Sequence, residues 1–309
     1  RYSTDASIYQ IQPHGVVVPA SDNDVVMAVQ IAADEGIPVL PRGAGTSQNG
    51  QAIGEALLID TTKHLNQMMN LDVENRTVCV QPGMVLDQLN RYLKPHGLMF
   101  PVDVSTASRA TIGGMTGNNS CGARSLRYGN MVHNVRSVEA LLPDGTQAHF
   151  KSLGNQPLSG GNPNYQHLVK KLLALGNREA EEIKARFPNI LRRVGGYNID
   201  ELTLSNPNMA KLLVGSEGTL AFFQRIYLDL QPIPQHKVLG VCHFPTFYQA
   251  MDSAQHLVKL KPAAVELVDR TMIDLARKIS IYAPTINKYV KGEPQALLLV
   301  EFAGEDEAT

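Results

Sequence analysis

The sequence has almost no net charge: 28 Lys and Arg against 29 Asp and Glu leave −1 at neutral pH, and charged residues fill only 18% of its 309 positions. That balance offers no electrostatic footprint for nucleic acid or for an anionic membrane surface, so neither is expected as a partner. No apolar run approaches the roughly 20 residues needed to cross a bilayer, and no secretory signal is visible. Cysteine is scarce. Cys79, Cys121 and Cys242 lie far apart and match no zinc or iron–sulfur spacing, which points to a reducing, cytosolic setting. The first residue is Arg1 rather than methionine, leaving room for an upstream segment. Apolar residues, by contrast, are plentiful at 43%, and the length suits about two domains with a large core.

Glycine is concentrated where chemistry would need it. Residues 37–40 read as a short buried strand leading into Pro41-Arg42-Gly43-Ala44-Gly45-Thr46-Ser47-Gln48-Asn49-Gly50. Three glycines there allow φ > 0 and let successive amides converge as an anion nest, with Arg42 beside it. A P-loop is excluded, because no lysine occurs between Arg42 and Lys63. A dinucleotide fold of the Rossmann type is excluded too, since Gln48 stands where glycine is required and a strand at 56–60 follows instead of a helix. Phosphate binding through backbone and an ordinary glycine-rich turn both remain open for this loop alone.

Elsewhere the pattern gives a strand at 16–19, a helix capped by Ser21 and running to Asp34, strands within 72–82, a helix over 84–93 closed by Gly97, and a strand over 132–142. Between them lies Thr111-Ile112-Gly113-Gly114-Met115-Thr116-Gly117-Asn118-Asn119-Ser120-Cys121-Gly122, whose small side chains imply a partner close to the backbone. Gly114 is expected to take φ > 0 and to leave room for a ligand. Two such stretches, each flanked by strands, favour one long ligand lying across both. A third, Val214 to Ala221, precedes a strand over 222–230. Residues 152–164 read as a loop and 165–187 as one helix with Leu168, Leu172 and Leu175 inward and a solvated charged face. Pro232-Ile233-Pro234 marks a boundary. Beyond it a βαβαβ run follows, with strands at 238–244, 264–268 and 296–302 and helices at 247–260 and 272–279.

The order of short motifs resembles the FAD-binding domain of the vanillyl-alcohol oxidase / para-cresol methylhydroxylase type. Arg42-Gly-Ala-Gly-Thr-Ser47, Gln81-Pro-Gly83, Phe100-Pro101, Ala110-Thr-Ile-Gly-Gly114, Asn119-Ser-Cys-Gly122, Arg127-Tyr-Gly129, Gly196-Tyr-Asn198 and Gly215-Ser-Glu-Gly-Thr219 occur in sequence. The nearest branch is that of FAD-linked D-2-hydroxyacid dehydrogenases: glycolate oxidase subunits, D-lactate and D-2-hydroxyglutarate dehydrogenases. Thr4-Asp-Ala-Ser-Ile-Tyr9 and Arg193-Val-Gly-Gly-Tyr-Asn198 are most similar to its large members with a C-terminal iron–sulfur region. The resemblance implies an α+β, two-subdomain FAD-binding fold over residues 1–235 (subdomains about 1–68 and 69–235), then an incomplete ferredoxin-like α/β cap from 236 to 309.

It implies FAD as cofactor, with Pro41, Arg42 and the Gly43, Ala44, Gly45, Thr46 and Ser47 loop at the diphosphate. Pro82, Gly83, Pro101, Gly113 and Gly114 would line the flavin and ribityl chain, Asn119 and Gly122 would approach the isoalloxazine, and Glu217, Gly218 and Thr219 would close over the cofactor. Relatives with covalent flavin carry histidine where Thr46 stands, so FAD is expected to be non-covalent. The implied function is oxidation of a small D-2-hydroxy acid (lactate, glycolate or 2-hydroxyglutarate) by hydride transfer to flavin, with a quinone or electron carrier as acceptor, in the cytoplasm or peripheral to the inner membrane. An alkyl-glycerone-phosphate-synthase-like flavoprotein and an electron-transfer module without its own substrate site share the motif order and stay open.

Metal-using relatives place a His-x6-His pair in the cap. His236 and His243 have that spacing, yet an odd offset along a strand puts their rings on opposite faces, and the accompanying Gly-Asp-Gly-Asn is absent. No metal site is expected in this chain. The base, the metal ligands and an iron–sulfur cluster are expected beyond Thr309, and the chain alone is expected to be inactive. Were the base within it, His133 would be the first candidate. Arg124 and Arg127 could reach a substrate carboxylate or brace the loop. For Tyr197-Asn198, packing is weighed against a place in the substrate space; for Cys121, a small buried filler is weighed against a reactive thiol.

Overall fold

The computed structural model describes residues 1–154 and 162–305. Most of the loop expected at 152–164, and the last residues of the expected cap, lie outside the described residues. The chain divides into two units, Arg1–Cys121 with Asn130–Pro232, and Gly122–Gly129 with Ile233–Thr309.

The first unit opens with β1 (Gly15–Val17), α1 (Asp22–Asp34), β2 (Val39–Arg42) and β3 (Leu57–Asp60). The three strands form a parallel sheet in the order β1–β3–β2. α1 begins at Ser21 through a reciprocal cap: the Ser21 hydroxyl accepts the Asp24 amide, and the Asp24 carboxylate accepts the amides of Ala20 and Ser21. Those amides hold the Asp24 carboxyl below its ordinary range. Val25, Ala28 and Val29 then pack on Ile59, Leu65, Leu141 and Phe222.

The chain continues through β4 (Met68–Asp72), β5 (Thr77–Val80), α2 (Leu86–Leu93), β6 (Leu98–Met99), α3 (Ile112–Asn118), α4 (Ser125–Tyr128), α5 (Met131–Asn134), β7 (Val135–Leu141) and β8 (Gln147–Phe150). It then runs through α6 (Pro163–Arg178), α7 (Ala180–Arg186), α8 (Ala210–Leu213), β9 (Phe222–Asp229) and β10 (Gln231–Pro232). An antiparallel five-stranded sheet in the order β4–β5–β9–β7–β8 backs this part. α2 lays Leu86, Leu89 and Leu93 into its core with at most 1% exposure, each contributing about 2 kcal/mol by burial. The helix expected over 165–187 is broken at Glu179 into α6 and α7, with Val169 and Gly176 buried in the first and Ile183 in the second.

α3 departs furthest from the sequence pattern. The glycine-rich stretch is a helix, and Gly114 has ordinary helical φ rather than the positive φ expected of it. Glycine disfavours a helix interior by about 1 kcal/mol each, so tertiary bonds must hold this one. The Ile112 and Gly113 amides donate to the carbonyls of Met84 and Pro82, while the carbonyls of Thr116 and Gly117 accept the amides of Gly215 and Glu217. Thr111 caps the start, its hydroxyl accepting the Gly114 amide, and Asn119 ends the helix in the left-handed region at φ 52°.

Within the second unit, β11 (His236–Phe244), α9 (Phe247–Leu257), β12 (Ala264–Asp269), α10 (Arg270–Lys278), α11 (Ala283–Tyr289) and β13 (Ala296–Gly304) follow one another. The sheet order is β11–β13–β12, antiparallel throughout. β11 and β12 are thus parallel to each other with β13 between them, the split βαβ of ferredoxin-like folds. Ala250, Ala296, Leu298 and Val300 form one core cluster there. The segment Gly122–Gly129 belongs here too: Arg124 pairs with Glu301 through Nε and Nη2 at 3.1 and 3.2 Å, and the Arg127 guanidinium donates to the Ala303 carbonyl.

Candidate functional site

In the first unit, five loop segments close into a circuit of backbone contacts. The Arg42 carbonyl accepts the Thr61 amide at 3.1 Å and the Thr61 hydroxyl at 3.2 Å. A methyl group on Gly83 would fall 2.1 Å from the Thr61 carbonyl oxygen, and one on Gly113 would fall 2.8 Å from the Pro82 oxygen. Gly43 meets Thr111 in the same way, at 2.2 Å from Oγ1. At the far end of α3, Gly117 lies against Glu217 and Gly218, and Gly218 returns to the ring of Pro41. Glycine is needed at 43, 83 and 113 first so that the chain can approach itself.

Arg42 is only 8% exposed and its guanidinium faces carbonyls: those of Ala52 and Thr4 at 2.8 Å and Tyr2 at 3.4 Å. Its side chain therefore anchors the loop, and burial lowers its pKa. The loop backbone is different. Among the described residues, none of the amides of Gly43, Ala44, Gly45, Thr46 and Ser47 has a protein acceptor. Gly45 stands at φ 68°, and a methyl group there would strike Arg42 Nη2 at 2.6 Å. Consecutive amides without acceptors, on a half-buried loop after a parallel strand, make a cradle for an anion. The amides that open α3 are already taken by Met84, Pro82 and Thr111, so the cradle is the loop and not the helix start.

The other expected residues are placed as follows. Glu217 and Gly218 both have positive φ, 52° and 76°, and Glu217 Oε1 accepts Asn118 Nδ2 at 2.9 Å. Thr219 donates to the Ser216 carbonyl at 2.6 Å and accepts Tyr197 OH at 2.7 Å. Asn119 is 1% exposed, its Oδ1 accepting the Val132 amide at 3.0 Å and its Nδ2 donating to the Arg193 carbonyl at 3.3 Å. Asn198 is tied to the carbonyls of Lys211 and Val214 at 3.1 and 2.8 Å. Pro101 is buried after β6 and takes no part in the circuit. Gly122 belongs to the second unit, its amide donating to Ser125 Oγ at 3.0 Å.

The sequence pattern missed Thr61 and Thr111, which join the loops. A threonine directly before an Ile-Gly-Gly run is a capping signal that would have found Thr111. On β11, His243 Nε2 accepts the Lys291 amide at 2.9 Å, a structural use of that ring. Among the described residues no group of three or more His, Cys, Asp or Glu could hold a metal ion. The three cysteines are free thiols.

His149 is half-buried and His133 lies at the surface, yet desolvation lowers the pKa of both; Lys211 and Arg193 add to the effect at His133. His133 Nδ1 accepts the Asn130 amide at 3.0 Å, while His149 Nε2 bonds Ser137 Oγ at 2.9 Å. Neutral imidazole is thus favoured in the folded chain. Above the ordinary value of about 6.5 both states are neutral and nothing is lost. Below it the unfolded chain takes up protons that the folded chain resists, so stability falls as pH falls. Melting temperatures between pH 7.5 and 5.5 should drop, and His149→Gln should flatten that slope. An unchanged slope in the variant would place the acid sensitivity elsewhere.

Residues 13–151 match the family model for an FAD binding domain, and residues 233–309 match that for the C-terminal domain of FAD linked oxidases. D-2-hydroxyglutarate dehydrogenase of Escherichia coli (strain K12) is 34% identical over 320 residues, covering 99% of this chain and 31% of that protein. Glycolate oxidase subunit GlcD of Bacillus subtilis (strain 168) is 28% identical over 308 residues, covering 98% of this chain and 54% of that one. A solved structure of alkyldihydroxyacetonephosphate synthase superposes with a TM-score of 0.66 at 20% identity, over 94% of this chain and 47% of that one, a likeness of fold. This chain thus spans 31% of the length of the first of these relatives.

Proposed function

We propose that this chain is part of an FAD-linked oxidase, a reading its two family matches support, that it holds FAD without a covalent bond, and that it serves, in the whole protein, to oxidise a D-2-hydroxy acid to the 2-oxo acid. The observation that carries the proposal is the run of acceptor-free amides from Gly43 to Ser47. A diphosphate needs several converging donors and little else, and backbone donors supply them without a lysine. Gly114 on α3, whose outer side meets only Thr111 Oγ1, offers a wall low enough for a flat ring. FAD, when bound, supplies the hydride acceptor for such an oxidation. The protein's part is to fix the ring on these loops and to exclude water from it.

The substrate class is supported by relatives named for D-2-hydroxyglutarate and glycolate. The alkyl-transfer reading has shared fold alone behind it. The free thiols suit a cytosolic protein passing electrons to a quinone or a protein carrier, peripheral to the inner membrane in the former case. Among the described residues no helix is long and apolar enough to cross a membrane.

Two measurements test this. Acid precipitation of the yellow protein should leave the colour in the supernatant, because the Thr46 hydroxyl cannot form the linkage that an imidazole makes. Colour retained in the pellet would overturn the non-covalent assignment. Anaerobic mixing of the whole FAD-loaded protein with D-2-hydroxyglutarate, D-lactate and glycolate should bleach the flavin with at least one of them. A flavin left oxidised by all three would overturn the substrate class.

A further inference from the structure

We propose that residues 1–10 form a clamp that orients the Gly43–Ser47 amides for the cofactor diphosphate, an inference that rests on the FAD reading above. The arm is a small hairpin: Thr4 bridges to Gln10, and the Ile11 amide donates to the Ser3 carbonyl at 2.9 Å. It buries none of its residues fully, and Ile8 is 94% exposed, so it adds nothing to the hydrophobic core. Its polar contacts instead converge on the loop. Arg42 Nη2 donates to the Thr4 carbonyl at 2.8 Å and Nη1 to that of Tyr2 at 3.4 Å. Tyr2 OH donates to Asp60 Oδ2 at 2.8 Å, just before the Thr61 that holds Arg42's own carbonyl. The Ala6 amide donates to the Gly45 carbonyl at 3.0 Å, and the Tyr9 ring lies under Gly50.

Peptide planarity turns these contacts into a positioning device. In a trans peptide the carbonyl of one residue and the amide of the next point in opposite directions. Fixing the Gly45 oxygen on the arm therefore aims the Thr46 amide away from it, and fixing the Arg42 oxygen on Thr61 aims the Gly43 amide likewise. A glycine loop without these ties would lose its amide row to other conformers, and binding would bear the cost of reordering it. Arg42 and Tyr2 act here as positioning residues, through the backbone.

The test compares the protein with and without residues 1–7, together with Tyr2→Phe, which removes a single hydroxyl. FAD affinity is read from flavin fluorescence, ADP affinity by competition, and folding from the melting temperature of the FAD-free protein. The truncation should weaken FAD and ADP by the same factor, about tenfold or more, while the melting temperature moves little. Tyr2→Phe should weaken both by a smaller, equal factor. Unchanged affinities in the truncated protein, or loss of FAD binding with ADP unaffected, would overturn the clamp. If the truncated chain does not fold, Tyr2→Phe decides, and unchanged affinities there would overturn it equally. An intact protein that takes up no FAD would instead remove the FAD reading itself, and the clamp with it.

Discussion

Gly83→Ala should remove about 3 kcal/mol or more of stability, at the upper end of what one substitution does. The added methyl would sit 2.1 Å from the Thr61 carbonyl oxygen and 2.7 Å from that of Leu65. Both neighbours are backbone, and neither belongs to a side chain that could swing away. The Gly83 amide also donates to the Leu65 carbonyl at 2.7 Å, so retreat would break that bond as well. Thr61 is the residue that holds the Arg42 carbonyl, hence the damage reaches the Gly43–Ser47 loop. The melting temperature of the FAD-free protein should fall by roughly 10 °C for a unit of this size, with flavin content reduced in parallel. A variant melting within a degree or two of the parent would show that the loops do not meet here.

Gly114→Val should do the reverse, leaving the fold and removing the flavin. A Cβ at this position meets Thr111 Oγ1 at 3.2 Å and nothing else within 4 Å. Its backbone is helical, so the earlier expectation of strain from positive φ does not apply, and replacing a helical glycine helps propensity slightly. What the branched side chain would occupy is the open side of α3. FAD affinity should fall on the order of tenfold to a hundredfold, while the melting temperature stays within a few degrees. Gly113→Val, one residue away, should lose the fold instead, because Pro82 Cβ and its carbonyl oxygen lie at 2.6 and 2.8 Å. Full flavin content in purified Gly114→Val would place the cofactor away from this helix.

These neighbouring glycines show what the sequence could and could not reveal. The strands around the loops and α1 with its cap were legible, because period, capping chemistry and turn residues are local signals. For the Gly43–Ser47 loop, local turn chemistry left an anion nest and an ordinary glycine-rich turn both open. α3 was not: its composition argues against a helix, and the bonds that hold it come from Met84, Pro82, Gly215 and Glu217. Nor was the use of Arg42, whose partners Tyr2 and Thr4 are 40 and 38 residues away. The sequence suggested a charge for the anion, and the structure assigns that charge to carbonyls. The break at Glu179 and the helix α11 left no periodic trace strong enough to read. His236 and His243 lie on one strand, as the pattern implied, and the Lys291 amide on His243 has no sequence signature.

The segment Gly122–Gly129, enclosed in sequence by the first unit and grouped with the second, has a consequence for taking this protein apart. The chain passes between the units three times, after Cys121, Gly129 and Pro232. A protease nick at the Pro232–Ile233 junction would therefore leave part of the smaller unit on the larger fragment. That part keeps its grip through Arg124 on Glu301 and Arg127 on the Ala303 carbonyl, so the nicked halves would stay paired until salt or denaturant loosened them. A chimera maker who grafts a foreign C-terminal block at residue 233 would strand Arg124 opposite a surface it was not built for. Exchange between homologues has to move both pieces together.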